Sequence, residues 1–424
     1  MCIYEHTKGV QVIKLLFLLI FSTQIFASSL LELIEQAQKN DLVEVYKYKL
    51  DSTGKAYEAT KSSYLPRVDI GAIEQFTSPA DSLGAGQIYS AYAEVTAVLI
   101  DGFKRENLLE EKEKLNIASK HDLQQIKKDI SLEVASIYFN MQIIKADITS
   151  LKHSKIQLQE QLHQQQRFFK AKLTTEDNVA RIEAAIANTD YQIELKKYAY
   201  DEYASKLHTL TNTEIRELKQ QNIIEPKDVE AKELDSIKSM QAQVESIGYK
   251  AEQLESTNYP TLILSDKYSY YKYGDDGLKK LGIPNVERIE SQNVVTLNLS
   301  MRLFDFGTAS KQKELVLSEQ NALFSELIYK KKEVKENIKL ALRAIEKAKK
   351  LLYASELSQD ASNRTYKIVH KKYKARVVDY VNYLDALSNK IEAEAQYNRA
   401  LGALQISYAK YYYNAGFDIK DYIK

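Results

Sequence analysis

Apolar residues in this chain recur with two different periods. Over 130–151 they fall at Ile130, Val134, Ile137, Met141, Ile144, Ile148 and Leu151. Over 334–352 they fall at Val334, Ile338, Ala341, Ile345, Ala348 and Leu352. Alternating steps of four and three are a heptad seam, whose partner must be another long helix. Neither Gly nor Pro occurs between Gly102 and Pro226, or between Gly307 and Gly402. Such stretches read as helix. A helix of about 70 residues would run roughly 100 Å at 1.5 Å per residue. The stripe is narrow and rich in small and β-branched residues, which suits a single-layer wall of helices better than a thick core. Each stretch folds back once. Thr174 or Thr175 followed by acids looks like a helix start, and Asp379 is a plausible cap for the second return helix. The return helices run to about Thr211 and about Ala415.

Elsewhere the period is two. Strands are expected over 67–76, 87–100, 261–273 and 294–304. Val295, Leu297, Leu299, Met301 and Leu303 face one way, against Thr296, Asn298, Ser300 and Arg302. Tyr89, Ala91, Ala93, Val95, Ala97 and Leu99 alternate with Ser90, Glu94 and Thr96. This pattern fits both a membrane barrel wall and a soluble antiparallel sheet. Tyr268, Tyr270, Tyr271 and Tyr273 suit an interfacial aromatic girdle. Four strands cannot close around a lumen, and open strand edges need partners, so oligomerisation is expected.

The two halves correspond. Leu99-Ile100-Asp101 matches Leu303-Phe304-Asp305, with 305 − 101 = 204. At the same offset Val134 matches Ile338, Met141 matches Ile345, and Phe169-Lys170-Ala171-Lys172 matches Tyr373-Lys374-Ala375-Arg376. Helical segments end at Tyr64-Leu65-Pro66 and Tyr259-Pro260, since the residue before Pro disfavours helix. Two structural repeats are expected, over 28–233 and 234–424, each a helix, two strands and a long helical hairpin.

Residues 1–27 read as an export signal: basic at Lys8 and Lys14, apolar over 15–26, with a cleavage site at Ile25-Phe26-Ala27. An N-terminal membrane anchor is the alternative. The only cysteine, Cys2, precedes the apolar core, so the mature chain would have no thiol for a disulfide or a metal. No later run reaches the roughly 18 apolar residues of a transmembrane helix. An exported chain of this kind is either soluble or crosses a membrane as a β-barrel.

Composition and motifs mainly exclude. The net charge is +1, which gives no reason to expect nucleic acid as a partner. No HExxH, CxxC or GxSxG motif is present. Gly84-Ala85-Gly86 lacks the third glycine of a dinucleotide loop and precedes a strand. The six histidines show no ligand spacing. No catalytic residue, metal or cofactor is assigned, and the chain is not read as an enzyme.

The pattern resembles the TolC-like outer-membrane efflux protein family over nearly the whole mature chain. The resemblance rests on Tyr64-Leu65-Pro66, Leu99-Ile100-Asp101-Gly102, Leu303-Phe304-Asp305-Phe306-Gly307, the repeat, and the run from Tyr373-Lys374-Ala375-Arg376 to Tyr383-Leu384-Asp385-Ala386. It implies a mainly α fold with a four-stranded β contribution: a long α-helical barrel in the periplasm and, in a homotrimer, a twelve-stranded β-barrel in the outer membrane. An equatorial segment, 212–233 with the C-terminal tail, would surround the helical barrel. The implied role is a passive conduit in a tripartite efflux or type I secretion system. Its partners would be outer-membrane lipid, a periplasmic adaptor docking at the helical tip, and an inner-membrane transporter. Members of the family pass drugs, metal ions and polypeptides.

Carried over by position, Tyr373 is a gate tyrosine and Asn178 stands where an aspartate would bond it. Asp385 matches one of two aspartates ringing the constriction, and Asn382 holds the other position. Val378 replaces the gate arginine. Lys172 and Arg376 replace the tip glycines and, with Leu173, Thr174 and Val377, would form the docking tip. The alternatives are a soluble periplasmic coiled-coil adaptor or scaffold, and a periplasmic metal- or drug-binding protein for which no site is seen.

Overall fold

The computed structural model describes residues 28–78, 84–215, 217–227, 230–277, 282 and 287–424. The signal segment 1–27 lies outside them. The elements are α1 (Leu30–Ala37), α2 (Asp41–Ser62), β1 (Arg67–Phe76), β2 (Ala85–Ile100), α3 (Lys104–Lys170), α4 (Glu176–Thr211), α5 (Asp235–Glu255), β3 (Thr261–Asp276), β4 (Ser291–Ser300), α6 (Thr308–Lys374) and α7 (Tyr380–Asn414). Short 3-10 turns follow α5 at Ser256–Asn258 and α7 at Ile419–Tyr422. Both α3 and α6 are unbroken over 67 residues, as the absence of Gly and Pro predicts. Thr308 follows Lys104, and Lys374 follows Lys170, by the 204 positions that separate Asp101 from Asp305.

The chain forms two compact units, each built from non-contiguous segments, with residues of α3 and α6 in both. These units do not follow the sequential halves. One unit comprises 41–126 and 233–337 and holds the sheet. Its strands run in the order β1-β2-β3-β4, every pair antiparallel. Directly opposite residues share a face, so the register decides what each face carries. One face gathers Val68, Ile70, Ala72 and Phe76 of β1 with Tyr89, Ala91, Ala93, Val95 and Ala97 of β2. Leu262, Leu264, Tyr268 and Tyr270 of β3 and Val295, Leu297 and Leu299 of β4 continue it. Glu74, Gln87, Lys272, Asn293 and Ser291 lie on the same face toward the hairpin turns, and Asp266 is a carboxylate set within its apolar stretch, between Val95 and Val295. The other face carries Arg67, Asp69, Ser90, Glu94, Thr96, Ser265, Lys267, Thr296 and Asn298, interspersed with Ile73, Ile88, Tyr92, Val98, Ile263 and Val294. There Lys267 lies 3.9 Å from Glu94 and 4.0 Å from the Tyr92 ring centre.

The sheet departs from the sequence reading at one end. β4 stops at Ser300 rather than reaching Phe304, because its last partner is Thr261 and Pro260 begins no further rung. Residues 301–304 therefore run on without a neighbour, and Leu303 is 86% exposed.

Each passage from strand to long helix uses an aspartate. Asp305 accepts the backbone N–H groups of Gly307 and Ala309, both at 2.9 Å, which holds its carboxyl below the usual range. Asp101 accepts from the Arg105 side chain at 2.7 Å, and that guanidinium lies over the Tyr64 ring. Helix packing in this unit centres on Leu234, Ile237 and Leu327, joined by Met240, Val244 and Val334.

The other unit, from 1–40, 127–232 and 338–424, holds α1, α4, α7 and the rest of α3 and α6. Ile130, Val134, Ile137, Met141 and Ile144 are buried, as are Ala341, Ile345 and Ala348. α1 starts in a capping box between Ser29 and Glu32. The segment after α4 pairs with the C-terminal tail: Ile224 donates to Tyr422 at 2.8 Å and Lys424 to Asn222 at 2.8 Å. Gly402 of α7 leaves room for Ile143 of α3, which a Cβ would displace.

Gly102 has φ +65, and a Cβ there would overlap Cβ of Tyr259 while standing 3.1 Å from the Ser256 carbonyl. Gly102→Ala is expected to cost about 1–2 kcal/mol from the left-handed backbone alone, with the overlap adding to it. A denaturant midpoint equal to that of the wild-type protein would contradict this account of the turn.

Candidate functional site

Two turns close the long hairpins, at 171–175 between α3 and α4 and at 375–379 between α6 and α7. Their geometry is the same. Lys172 (φ 56) and Arg376 (φ 59) both adopt the left-handed conformation. Leu173 N–H donates to the Phe168 carbonyl at 2.8 Å, and Lys172 N–H to Phe169 at 2.9 Å. In the second turn Val377 donates to Lys372 and Arg376 to Tyr373, each at 2.9 Å. This is the Schellman arrangement, which glycine usually supplies. The two basic residues thus keep the turn that the missing glycines put in question, at the cost of a strained backbone. Lys172, Leu173, Arg376 and Val377 are exposed and Thr174 half-buried. The Arg376 guanidinium lies 5.0 Å from the Phe168 ring centre, joining the two turns.

The return helices start differently. Asp379 accepts both the backbone N–H and the side-chain amide of Asn382, at 2.9 and 2.7 Å. Thr175 is the N-cap of α4 but makes no capping bond, and the Asn178 amide instead donates to Thr174 and Thr175 Oγ1, both at 3.1 Å. The positions carried over as gate partners are therefore spent locally. Asn178 does not bond Tyr373. The Tyr373 hydroxyl accepts from the Gln165 side chain of α3, and burial raises its pKa. Asp385 is exposed on α7 and makes no ion pair among the described residues. It lines a cavity of about 550 Å³ whose walls include Leu158 of α3, Ala185 of α4 and Leu384 of α7.

Behind these turns the structure assembles a cluster that the position-by-position carry-over did not anticipate. Leu158, Ile182, Tyr380, Tyr383 and Leu387 are buried together, with Tyr366 and Tyr373 packed against them. Tyr373 stacks on Tyr383 with ring centres 5.0 Å apart, and Tyr380 lies 5.8 Å from each. Such pairs contribute about 0.5–1.5 kcal/mol each beyond the area they bury. The available signal was spacing: Tyr366, His370 and Tyr373 follow the heptad, and Gln157, Gln161 and Gln165 recur every fourth residue on α3.

Comparison with solved structures places this architecture in a class. The Campylobacter jejuni CmeC outer membrane channel matches with a TM-score of 0.79 at 18% identity, covering 92% of this chain and 86% of that one. The Vibrio cholerae outer membrane protein VceC matches at 0.78 and 12% identity, covering 92% and 96%. The Neisseria gonorrhoeae MtrE outer membrane channel matches at 0.75 and 16% identity, covering 92% and 89%. The fold is thus that of the TolC-like outer-membrane channels, mostly helical with a small four-stranded sheet. At sequence level the resemblance is to the outer membrane efflux proteins, whose family matches residues 231–412. A search of curated proteins returned no match.

Lys172→Gly is expected to raise stability by about 1 kcal/mol, because glycine removes the left-handed backbone cost. Arg376→Gly should gain less, since it also gives up the contact with Phe168. Paired denaturation curves would show the order, and a loss of stability in Lys172→Gly would refute the cap assignment.

Proposed function

We propose that the chain is one subunit of an outer-membrane channel, a passive conduit from periplasm to exterior. The observation that carries this reading is the sheet: one face mostly apolar, the other mixed and carrying most of the polar residues, with both edges unpaired among the described residues. An exposed apolar face of four strands has no use in water, whereas it suits a barrel wall with lipid outside and a wet lumen inside. Ile70 is 84% exposed and Leu297 63%. Closure requires further copies, because hydrocarbon leaves no open edge satisfied. The family resemblance sets the number at three, giving twelve strands. The two halves are then a duplicated unit, with the shared 204-residue offset as its support. The helical hairpins belong in the periplasm. Their tip, Lys172, Leu173, Thr174, Arg376 and Val377, docks a periplasmic adaptor that links the channel to an inner-membrane transporter in an efflux or type I secretion assembly. Asp385 and Asn382 belong to the constriction, and Tyr373, held by Gln165, and Asn178 to the gate. The channel has no motor, so opening is a separation of hairpin ends driven by the partner.

The rival reading, a soluble coiled-coil adaptor, leaves the apolar face unexplained. Val295→Arg separates the two. In a barrel wall it should cost about 2–4 kcal/mol of membrane-folded stability. In a soluble protein a side chain already 64% exposed should tolerate it. Unfolding in lipid vesicles and the yield of the membrane fraction would read the difference, and an indifferent variant would favour the soluble protein.

Asp385→Ala is expected to weaken the block of single-channel current by multivalent cations several-fold. Unchanged block in planar bilayers would remove Asp385 from the constriction.

A further inference from the structure

The buried end of the second hairpin contains polar groups that its packing does not serve. Gln157 Oε1 accepts from the Tyr366 hydroxyl at 3.0 Å, and the Gln165 amide donates to Tyr373. These are two rungs of a ladder between α3 and α6. Between these pairs in sequence come Gln161 on α3 and His370 on α6, and no bond is made there: Gln161 Oε1 and His370 Nδ1 are both buried without a hydrogen-bond partner. The hydroxyls of Tyr380 and Tyr383 on α7 are buried and unpartnered too. The Tyr366 hydroxyl gives its hydrogen to Gln157, and its oxygen, though near Tyr383, is not in hydrogen-bond geometry with that hydroxyl. Gln161, Tyr380 and Tyr383 are all more than nine-tenths buried.

His370 sits between the helices as an aromatic spacer. Its ring stacks on Tyr366 at 5.6 Å and 25°, and lies 5.6 Å from the Tyr383 ring across on α7. A neutral imidazole can carry its hydrogen on either nitrogen, so the missing rung reflects placement rather than lack of a proton. Adding a second proton would create a cation whose Nδ1–H has no acceptor in this packing. The charge acting on it is also positive, Lys374 on its own helix; Lys390 of α7, 5.1 Å from the Tyr366 ring centre, is paired with Glu394. The groups packed around it from α3 and α7 are amides and phenols, Gln157, Gln161, Tyr380 and Tyr383, which neutralise no charge.

We propose that His370 makes this cluster an acid-sensitive latch: protonation breaks the Tyr366–His370–Tyr383 stack and frees the end of the α6–α7 hairpin, where hydration or rearrangement satisfies the stranded hydroxyls. The direction follows from linkage. Burial, and then Lys374, depress the imidazole pKa below its ordinary 6.5. The packed state therefore holds fewer protons than the loosened one. Packing is at full strength above about pH 6.5 and is lost progressively as pH falls toward the depressed value.

The latch uses the proposed channel reading only for its consequence, which is opening at the tip. Its test does not need conduction. Hydrogen exchange of the 366–387 segment would be followed in the purified full chain in detergent, at pH 7.5 and pH 5.0, after correction for intrinsic exchange. Each unit of pKa depression corresponds to about tenfold in the opening equilibrium, so wild-type exchange should quicken in acid, and the measured fold-change reports the depression. His370→Phe keeps an aromatic spacer without a titrating proton, and should abolish the acid response. Should that variant fail to assemble, His370→Gln serves the same purpose. Tyr383→Phe removes one stranded hydroxyl, and should slow exchange at both pH values while keeping the acid response. The latch is overturned if acid leaves wild-type exchange unchanged or slows it, or if the His370 variants respond as the wild type does. An acid response in a protein that conducts no ions would support the latch and defeat the channel reading.

Discussion

A sheet with two open edges is the constraint on which the rest of this structure depends. β1 and β4 each offer one row of backbone N–H and C=O groups to no partner strand among the described residues. Their side chains on one face are apolar and exposed. Water could satisfy the backbone but not the face, and lipid could satisfy the face but not the backbone. Further strands from other copies, inside a membrane, would satisfy both. The proposed function is the resolution of that conflict, and it makes the single chain an incomplete object. Asp266 stands within the apolar stretch of that face, a carboxylate flanked by valines.

The long helices follow from a different economy. Each carries a narrow seam, so one helix buries little by itself and depends on its neighbours. What holds their ends is turn chemistry. Asp101 and Asp305 serve the passages from strand to helix, and the left-handed Lys172 and Arg376 serve the passages from helix to helix. A lysine or arginine in that backbone region is strained, and both turns keep it. Their exposed basic side chains are the ones expected at a docking tip, which is consistent with a site that retains local strain for the surface it presents.

The hairpin end behind those turns is packed but not satisfied. Stacked tyrosines bring α6 and α7 together, while four buried polar atoms there lack partners. A static strut would favour apolar residues at those positions, because an unpartnered buried polar group costs more than its replacement by a hydrocarbon of the same shape. The arrangement suits an element that must come apart and find other partners when it does.

Much of this was legible in the residue order. The heptads, the runs free of Gly and Pro, the helix starts near Thr175 and Asp379, and the common 204-residue offset all involve residues close in sequence or a strict period, and local propensity acts on both. The side-chain alternation of each strand was readable for the same reason. The tertiary structure alone decided which alternations coincide: only the register brings Val95, Asp266 and Val295 into one row. It also decided that β4 stops at Ser300, and that Gln165 rather than Asn178 holds Tyr373. It alone showed that Gln161 Oε1 and His370 Nδ1 are buried without hydrogen-bond partners. Those facts depend on pairings between residues hundreds of positions apart, which no local preference encodes and only the packed chain can select.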